Sequence, residues 1–210
     1  MIISLKLFLS AFVSLFVIID PFGTAAVFSV LTQKMDRTLQ RKIAFRAATI
    51  AMTLLIVFSL IGKVLLDHMG ISLAAFRTAG GFLLFITAFR MIMGMHDQDH
   101  LDSESSAYRD RSDIAVFPLA IPLLSGPGTI TATVMFSTAA QNLSDHTQIW
   151  AAILIVEGLA LGTLLAAPFL MRLLGRTGNG IVARIMGILL AAMAVQFVAD
   201  GLKALGFAVS

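Results

Sequence analysis

Residues 18–26 read IIDPFGTAA, an acid, a proline and a glycine set inside an apolar run that extends from about residue 5 to residue 32. Pro21 has no N–H to offer the carbonyl of Val17, its ring clashes there, and it steers Asp20 away from helical dihedrals. Gly23 loosens the next turn. The stretch predicts two half-helices, 5–19 and 21–32, in place of one continuous helix. At 1.5 Å per residue the run of about 28 residues reaches about 42 Å, longer than the hydrocarbon layer of a bilayer is thick. It therefore has length for a break near its middle.

Composition names the solvent around that run. Of 210 residues, 58% are hydrophobic and 13% charged, and the mean hydropathy is +0.93. A soluble domain is about half apolar and about a quarter charged, and a water-facing exterior of this size could not hide the excess. Windows of 18 or more nearly uncharged residues recur, the length a membrane-spanning helix needs. The fold class is all-α: a polytopic membrane protein with six transmembrane helices, expected at 5–32, 43–66, 71–93, 114–140, 148–174 and 181–207. Lys6 followed by an apolar stretch resembles a signal peptide, but no A-x-A site follows, so a retained first span is expected.

Net charge is +3 and the sequence pI about 9.7. The basic residues sit in connections between apolar runs and no basic–aromatic surface is interleaved, which excludes a nucleic-acid partner. The absence of cysteine excludes thiol redox chemistry, Fe–S ligation and disulfides. The first connection holds Lys34, Arg37, Arg41, Lys42 and Arg46, the third Arg90, Arg109 and Arg111, and the fifth Arg172, Arg176 and Arg184. The opposite set has only Lys6, Lys63 and Lys203. Odd connections are thus expected in the cytoplasm and both termini in the periplasm.

The chain also repeats itself. Gly23-Thr24 and Gly128-Thr129 stand 105 residues apart, and Arg77…Gly80 matches Arg184…Gly187 at 107. Residues 1–93 form a first three-helix repeat, 94–113 an acidic cytoplasmic linker, and 114–210 a second repeat within one integral membrane domain. Three spans per half is odd, so the halves are inverted, the usual sign of a secondary transporter. The second repeat breaks its first helix too, at Pro122 and Ser125-Gly126-Pro127-Gly128.

A break in hydrocarbon leaves main-chain groups without partners unless protein, water or ligand supplies them. Each second half-helix starts with free amides and a partial positive charge, and two such ends meeting near the midplane make a site for an anion or carboxylate. Gly23, Thr24, Ser125, Gly126, Gly128 and Thr129 are the expected substrate-binding residues, with Thr131 and Thr133 adding hydroxyls. Two readings of Asp20 stand: an N-cap that re-satisfies the backbone, or a coupling site for a proton or sodium ion, since an intramembrane acid is functional by default. The second half has no acid at the matching place.

Glu157, about ten residues into the fifth span, is the other ion-coupling candidate, or else an arginine's partner. Gly158 and Gly162 allow close helix packing beside it. Arg77 and Arg184 start their spans, where they snorkel to the interface or bind a carboxylate, Asp20 included. Gln196, one turn from Asp200, is deep enough to line a cavity and joins the substrate-binding set. His96, Asp97, Asp99 and His100 have short spacing on a polar linker and read as solvated residues, with no metal site.

At these residues the chain resembles the MarC family of bacterial inner-membrane proteins: "IDPFGT" in the first span, "PLAIPLLSGPGTIT" in the fourth, "RIMGILLAAMAVQFVADGL" in the sixth. The resemblance covers nearly the full length. It implies six spans, affiliation with the amino-acid exporter superfamily typified by LysE, and a multi-pass place in the inner membrane. The family pattern has Asn after DPxG, where this chain has Thr24.

The expected function is secondary transport, as an exporter of a small polar or anionic metabolite working by alternating access around two broken helices. The alternative is a non-transporting integral membrane protein, an assembly or envelope-stress factor. No His–Glu–His spacing, serine–histidine dyad or aspartate pair points to an enzyme, and no cofactor is expected. The expected partners are the lipid bilayer, an unidentified small molecule and a proton or sodium ion; a homo-oligomer is left open.

Overall fold

A computed structural model describes residues 2–94 and 113–207. The expected linker lies outside them except at its two ends, and the His96 cluster lies outside them entirely. Every regular element among the described residues is helical: α1 (Ile2–Ile19), α2 (Pro21–Thr32), α3 (Arg37–His68) and α4 (Leu73–Met93) come first. A 3₁₀ turn at Asp113–Ala115 leads into a wide-turned segment, Val116–Leu124, followed by α5 (Pro127–Ala139), α6 (Leu143–Leu165) and α7 (Ala167–Ala204).

Local chemistry marks the ends. Side chains of Asp36, Ser72 and Asn142 each accept from the backbone N–H three residues on, at 2.8, 3.1 and 2.9 Å, which supplies orphan first-turn amides of α3, α4 and α6. Gly94 closes α4 at φ 70°, a left-handed position glycine occupies without strain.

Five helices are long and apolar enough to cross a membrane, and six spans result when the bent pair Val116–Leu124 and Pro127–Ala139 counts as one. Three run differently from expectation: the second begins earlier, at Arg37, where Asp36 caps it, and the last two are also shifted. The fifth occupies Leu143–Leu165, beginning earlier because Asn142 caps it, and stopping earlier because Pro168 cannot continue it. Gly175 then kinks α7 at φ 61°, and the sixth span is Thr177–Ala204.

On α6, Ile149, Ala152, Ile153, Val156, Glu157, Ala160 and Leu164 are buried, a helical stripe that packs on α1. Helix α5 sits among the others: Val134 lies against Gly62 of α3, Thr131 against Gly80 of α4, and Gly128 against Leu84 and Ile18. Helices α4 and α7 run antiparallel in main-chain contact, with Gly201 beside Ala74 and Thr78, Gly81 beside Ala194 and Val198, and Gly187 beside Ala88 and Met91. Gly158 and Gly162 do not serve the packing expected of them, since a Cβ on either would meet nothing within 4 Å. They belong to the outward face of α6, where Leu154, Ile155 and Leu159 are also exposed.

Candidate functional site

The first break is one residue long. Asp20 sits between α1 and α2 at φ 44°, ψ 72°, a left-handed conformation uncommon outside glycine. Pro21 opens α2, and Asp20 stands at the capping position but makes no side-chain capping bond. Its carboxylate lies against Gly23, where any Cβ would collide with it. One carbonyl released by the break is taken up by a hydroxyl, Thr24 Oγ1 donating to Ile19 O at 2.9 Å, and Thr163 Oγ1 from α6 donates to Pro21 O in the first turn of α2 at 3.0 Å, tying α6 to the break.

The second break is more open. Ser125 N and Oγ both donate to Ala120 O at 2.8 Å, Gly126 is extended at φ −71°, ψ 172°, and Pro127 opens α5. The two pieces are bent by 47°. In both breaks helix geometry leaves the first amides, those of Phe22 and Gly23 and of Gly128 and Thr129, without an intrahelical acceptor.

Both helix starts open into one cavity of about 270 Å³. Asp20, Gly23 and Thr24 line it from the first break, and Gly126, Gly128 and Thr129 from the second. Six expected site residues, distant in sequence, thus share one space. Asp20 is only 9% exposed, so its charge sits where protein rather than bulk water sets its environment.

Helix α4 completes the wall with Leu84, Thr87, Arg90 and Met91. Sequence reasoning counted Arg90 as an orientation charge and missed it here. A signal was present: Gly80, Leu84, Thr87 and Met91 recur every three or four residues, a stripe aimed at one neighbour, and Arg90 is one turn beyond Thr87 on its flank. Because Gly80 meets Thr131 and Leu84 meets Gly128, α4 and α5 run antiparallel. The cavity therefore extends from the two breaks toward the C-terminal end of α4, away from the α5–α6 turn.

Three expected residues lie elsewhere. Ser125 is fully buried, and its hydroxyl turns back to the Ala120 carbonyl instead of facing the cavity. Gln196 is exposed, and its Nε2 donates to Asp200 Oδ1 at 2.6 Å. Asp200 Oδ2 in turn pairs with Arg77 Nη2 at 2.5 Å, and Arg77 lies over the Phe197 ring at 5.5 Å. Arg77 thus neither snorkels unpaired nor reaches Asp20; it joins α4 to α7. Glu157, 2% exposed, does not line the cavity, and both its carboxylate oxygens lack a hydrogen-bond partner among the described residues. Among those residues no group of three or more His, Cys, Asp or Glu side chains is placed to hold a metal ion.

Comparison with known proteins gives these features a family. Residues 5–205 match the family described as MarC family integral membrane protein. A UPF0056 membrane protein of Archaeoglobus fulgidus is 39% identical over 199 residues, 94% of this chain and 93% of the relative. One from Methanocaldococcus jannaschii is 37% identical over 199 residues, covering 95% and 97%. The UPF0056 membrane protein YhcE of Escherichia coli is 33% identical over 193 residues, covering 91% and 90%. No solved structure matches the chain. The chain belongs to the MarC family and is a multi-pass integral membrane protein.

Proposed function

We propose that this MarC-family chain is a secondary transporter that exports a small anionic metabolite by alternating access around its two broken helices. The observation that carries the reading is the single cavity shared by both breaks. Two helix starts bring roughly half a positive charge each and Arg90 a full one, which together outweigh the single carboxylate of Asp20 in the same cavity. Gly23 and Gly128 let a ligand approach the main chain, while Thr24, Thr87 and Thr129 offer hydroxyls. At about 270 Å³ the space lies near the lower end of the roughly 300–1,000 Å³ typical of small-molecule sites.

The inverted repeat supplies the motion. Antiparallel packing of α4 on α7, the third span of each half, supports that symmetry, as do the matched breaks. The basic first, third and fifth connections favour an orientation with the Arg90 end of the cavity toward the cytoplasm of the bacterial inner membrane and both termini in the periplasm. Substrate then enters from the cytoplasm, and coupling falls to the two buried acids, Asp20 and Glu157. No enzymatic step enters this reading.

The test is counterflow. Purified protein in liposomes loaded with an unlabelled metabolite pool takes up a labelled organic anion, and Arg90→Ala loses that uptake while remaining monodisperse. Folded wild-type protein that gives no counterflow with organic acids, amino acids or sugars refutes transport and leaves a non-transporting membrane component.

A further inference from the structure

Outside the cavity, the membrane interior holds one more acid. Of the charged side chains among the described residues only Asp20 and Glu157 are buried. Helices α1, α2, α3, α5 and α7 all touch α6, and the one buried charge among them is Asp20, at the α1–α2 break. On α3, Lys63, Asp67 and His68 are exposed, and Asp145 and His146 lie near the start of α6. Glu157 also stands apart from the first break: Thr163 is the α6 residue that reaches Pro21, and Glu157 is six residues earlier, about 9 Å along the helix.

A polar file leads to it. Ser59 Oγ of α3 is 2.6 Å from Ser137 Oγ of α5 and accepts from Trp150 Nε1 of α6 at 3.0 Å, tying three helices at one point. One turn along α5 from Ser137 is Thr133, whose fully buried Oγ1 has no partner among the described residues. Two turns along the same face of α6 from Trp150 is Glu157. Both steps run from the α5–α6 turn toward the middle of the bundle, the end opposite Arg90.

We infer that Glu157 is a proton-binding site, separate from the substrate cavity and reached from the face that carries the α5–α6 turn. An ionised carboxylate with neither oxygen hydrogen-bonded does not persist in hydrocarbon surroundings; it takes a proton or a cation. A dehydrated cation needs several oxygen ligands, and with no group of three or more acidic or histidine side chains among the described residues it would have to gather them from hydroxyls and carbonyls, whereas one proton completes the carboxyl group by itself. As the coupling site of an exporter, which rests on the transport reading above, Glu157 would take protons from one face while the cavity takes substrate from the other.

Infrared difference spectra of the purified full chain in lipid, acid minus alkaline, decide the site without any substrate. The expected result is a carbonyl band at the high-frequency end of the carboxylic-acid range, where an acid without hydrogen bonds absorbs. It is lost in Glu157→Gln and Glu157→Leu and retained in Asp20→Asn. Glu157→Leu guards against misfolding, because an apolar side chain there removes a buried polar group, and its melting temperature is expected to equal or exceed that of the wild type. A band that survives both Glu157 variants, or one erased by sodium at constant pH, overturns the inference. In liposomes, Glu157→Gln is expected to keep counterflow and lose accumulation driven by a proton gradient. If wild-type counterflow is absent, the transport reading fails while the infrared band still decides the proton site.

Discussion

Replacing Gly81 by alanine tests whether α4 and α7 are held in main-chain contact. An added Cβ would lie 2.7 Å from Val198 Cγ2 and 2.9 Å from both Ala194 O and Val198 N. Ordinary contacts settle at about 3.5–4.0 Å, so roughly 1 Å must be found, and two of the three obstacles are backbone that cannot rotate aside. Overpacking of this kind costs about 1–3 kcal/mol, here at the upper end, against about 1 kcal/mol regained from alanine's better helix propensity. The net expectation is a loss of about 2 kcal/mol, roughly a thirtyfold shift toward the unfolded state. Trp150 is the single tryptophan, so its fluorescence during denaturation of the detergent-solubilised protein reports the change. Val198→Ala removes one obstacle of three and is expected not to rescue Gly81→Ala. The contrast is Gly62→Ala, whose obstacles all belong to the Val134 side chain, so that Val134→Ala should restore it. A neutral Gly81→Ala, or rescue by Val198→Ala, refutes the main-chain contact.

Other expectations follow from single contacts. Gly158→Ala and Gly162→Ala should be neutral or stabilising by up to about 1 kcal/mol each, because nothing lies within 4 Å of the added methyl; a lower melting temperature would reveal a contact made by another copy. Arg77→Ala is expected to cost about 1.5–3 kcal/mol, because it removes a partly buried hydrogen bond between charged groups, and the exchanged pair Arg77→Asp with Asp200→Arg should regain part of it in the same denaturation assay. Ser59→Ala deprives Trp150 Nε1 and Ser137 Oγ of their shared partner, so a loss of about 1–3 kcal/mol should come with a shifted Trp150 emission maximum.

The spans and the breaks were legible because hydrocarbon imposes them: a helix that crosses it must be long and apolar, and proline interrupts a helix whatever surrounds it. Pro21 and Pro127 therefore marked, from sequence alone, the two helix starts that open into the cavity. What stayed hidden depended on partners from elsewhere in the chain. Asn142 draws the fifth span earlier through a cap three residues long, a signal weaker than the apolar run beside it. Gln196 looked deep by position, yet Asp200 holds it and Arg77 locks the group to α4. Arg90 was hidden for a different reason, because a positive residue near a helix end already has an explanation in orientation.

If the two halves are repeats as proposed, their alignment makes the cavity chemically one-sided. Moved by the 107-residue offset that relates Arg77 to Arg184, Thr87 falls on Ala194 and Arg90 on Phe197. The second half thus offers a methyl and a phenyl ring where the first offers a hydroxyl and a guanidinium. Those apolar replacements have other work: the Ala194 carbonyl meets Gly81, and Phe197 lies under Arg77. Asp20 likewise has Ser125 or Gly126 as its counterpart, neither able to hold a charge. On the proposed repeat, the first half carries the cavity's charged groups, Asp20 and Arg90, and α7 carries the close packing along α4. In an alternating-access cycle the ligand would then stay with the first repeat's charges while the second repeat moves past it, since a charge leaving Arg90 in so apolar a space would lose more than the motion returns.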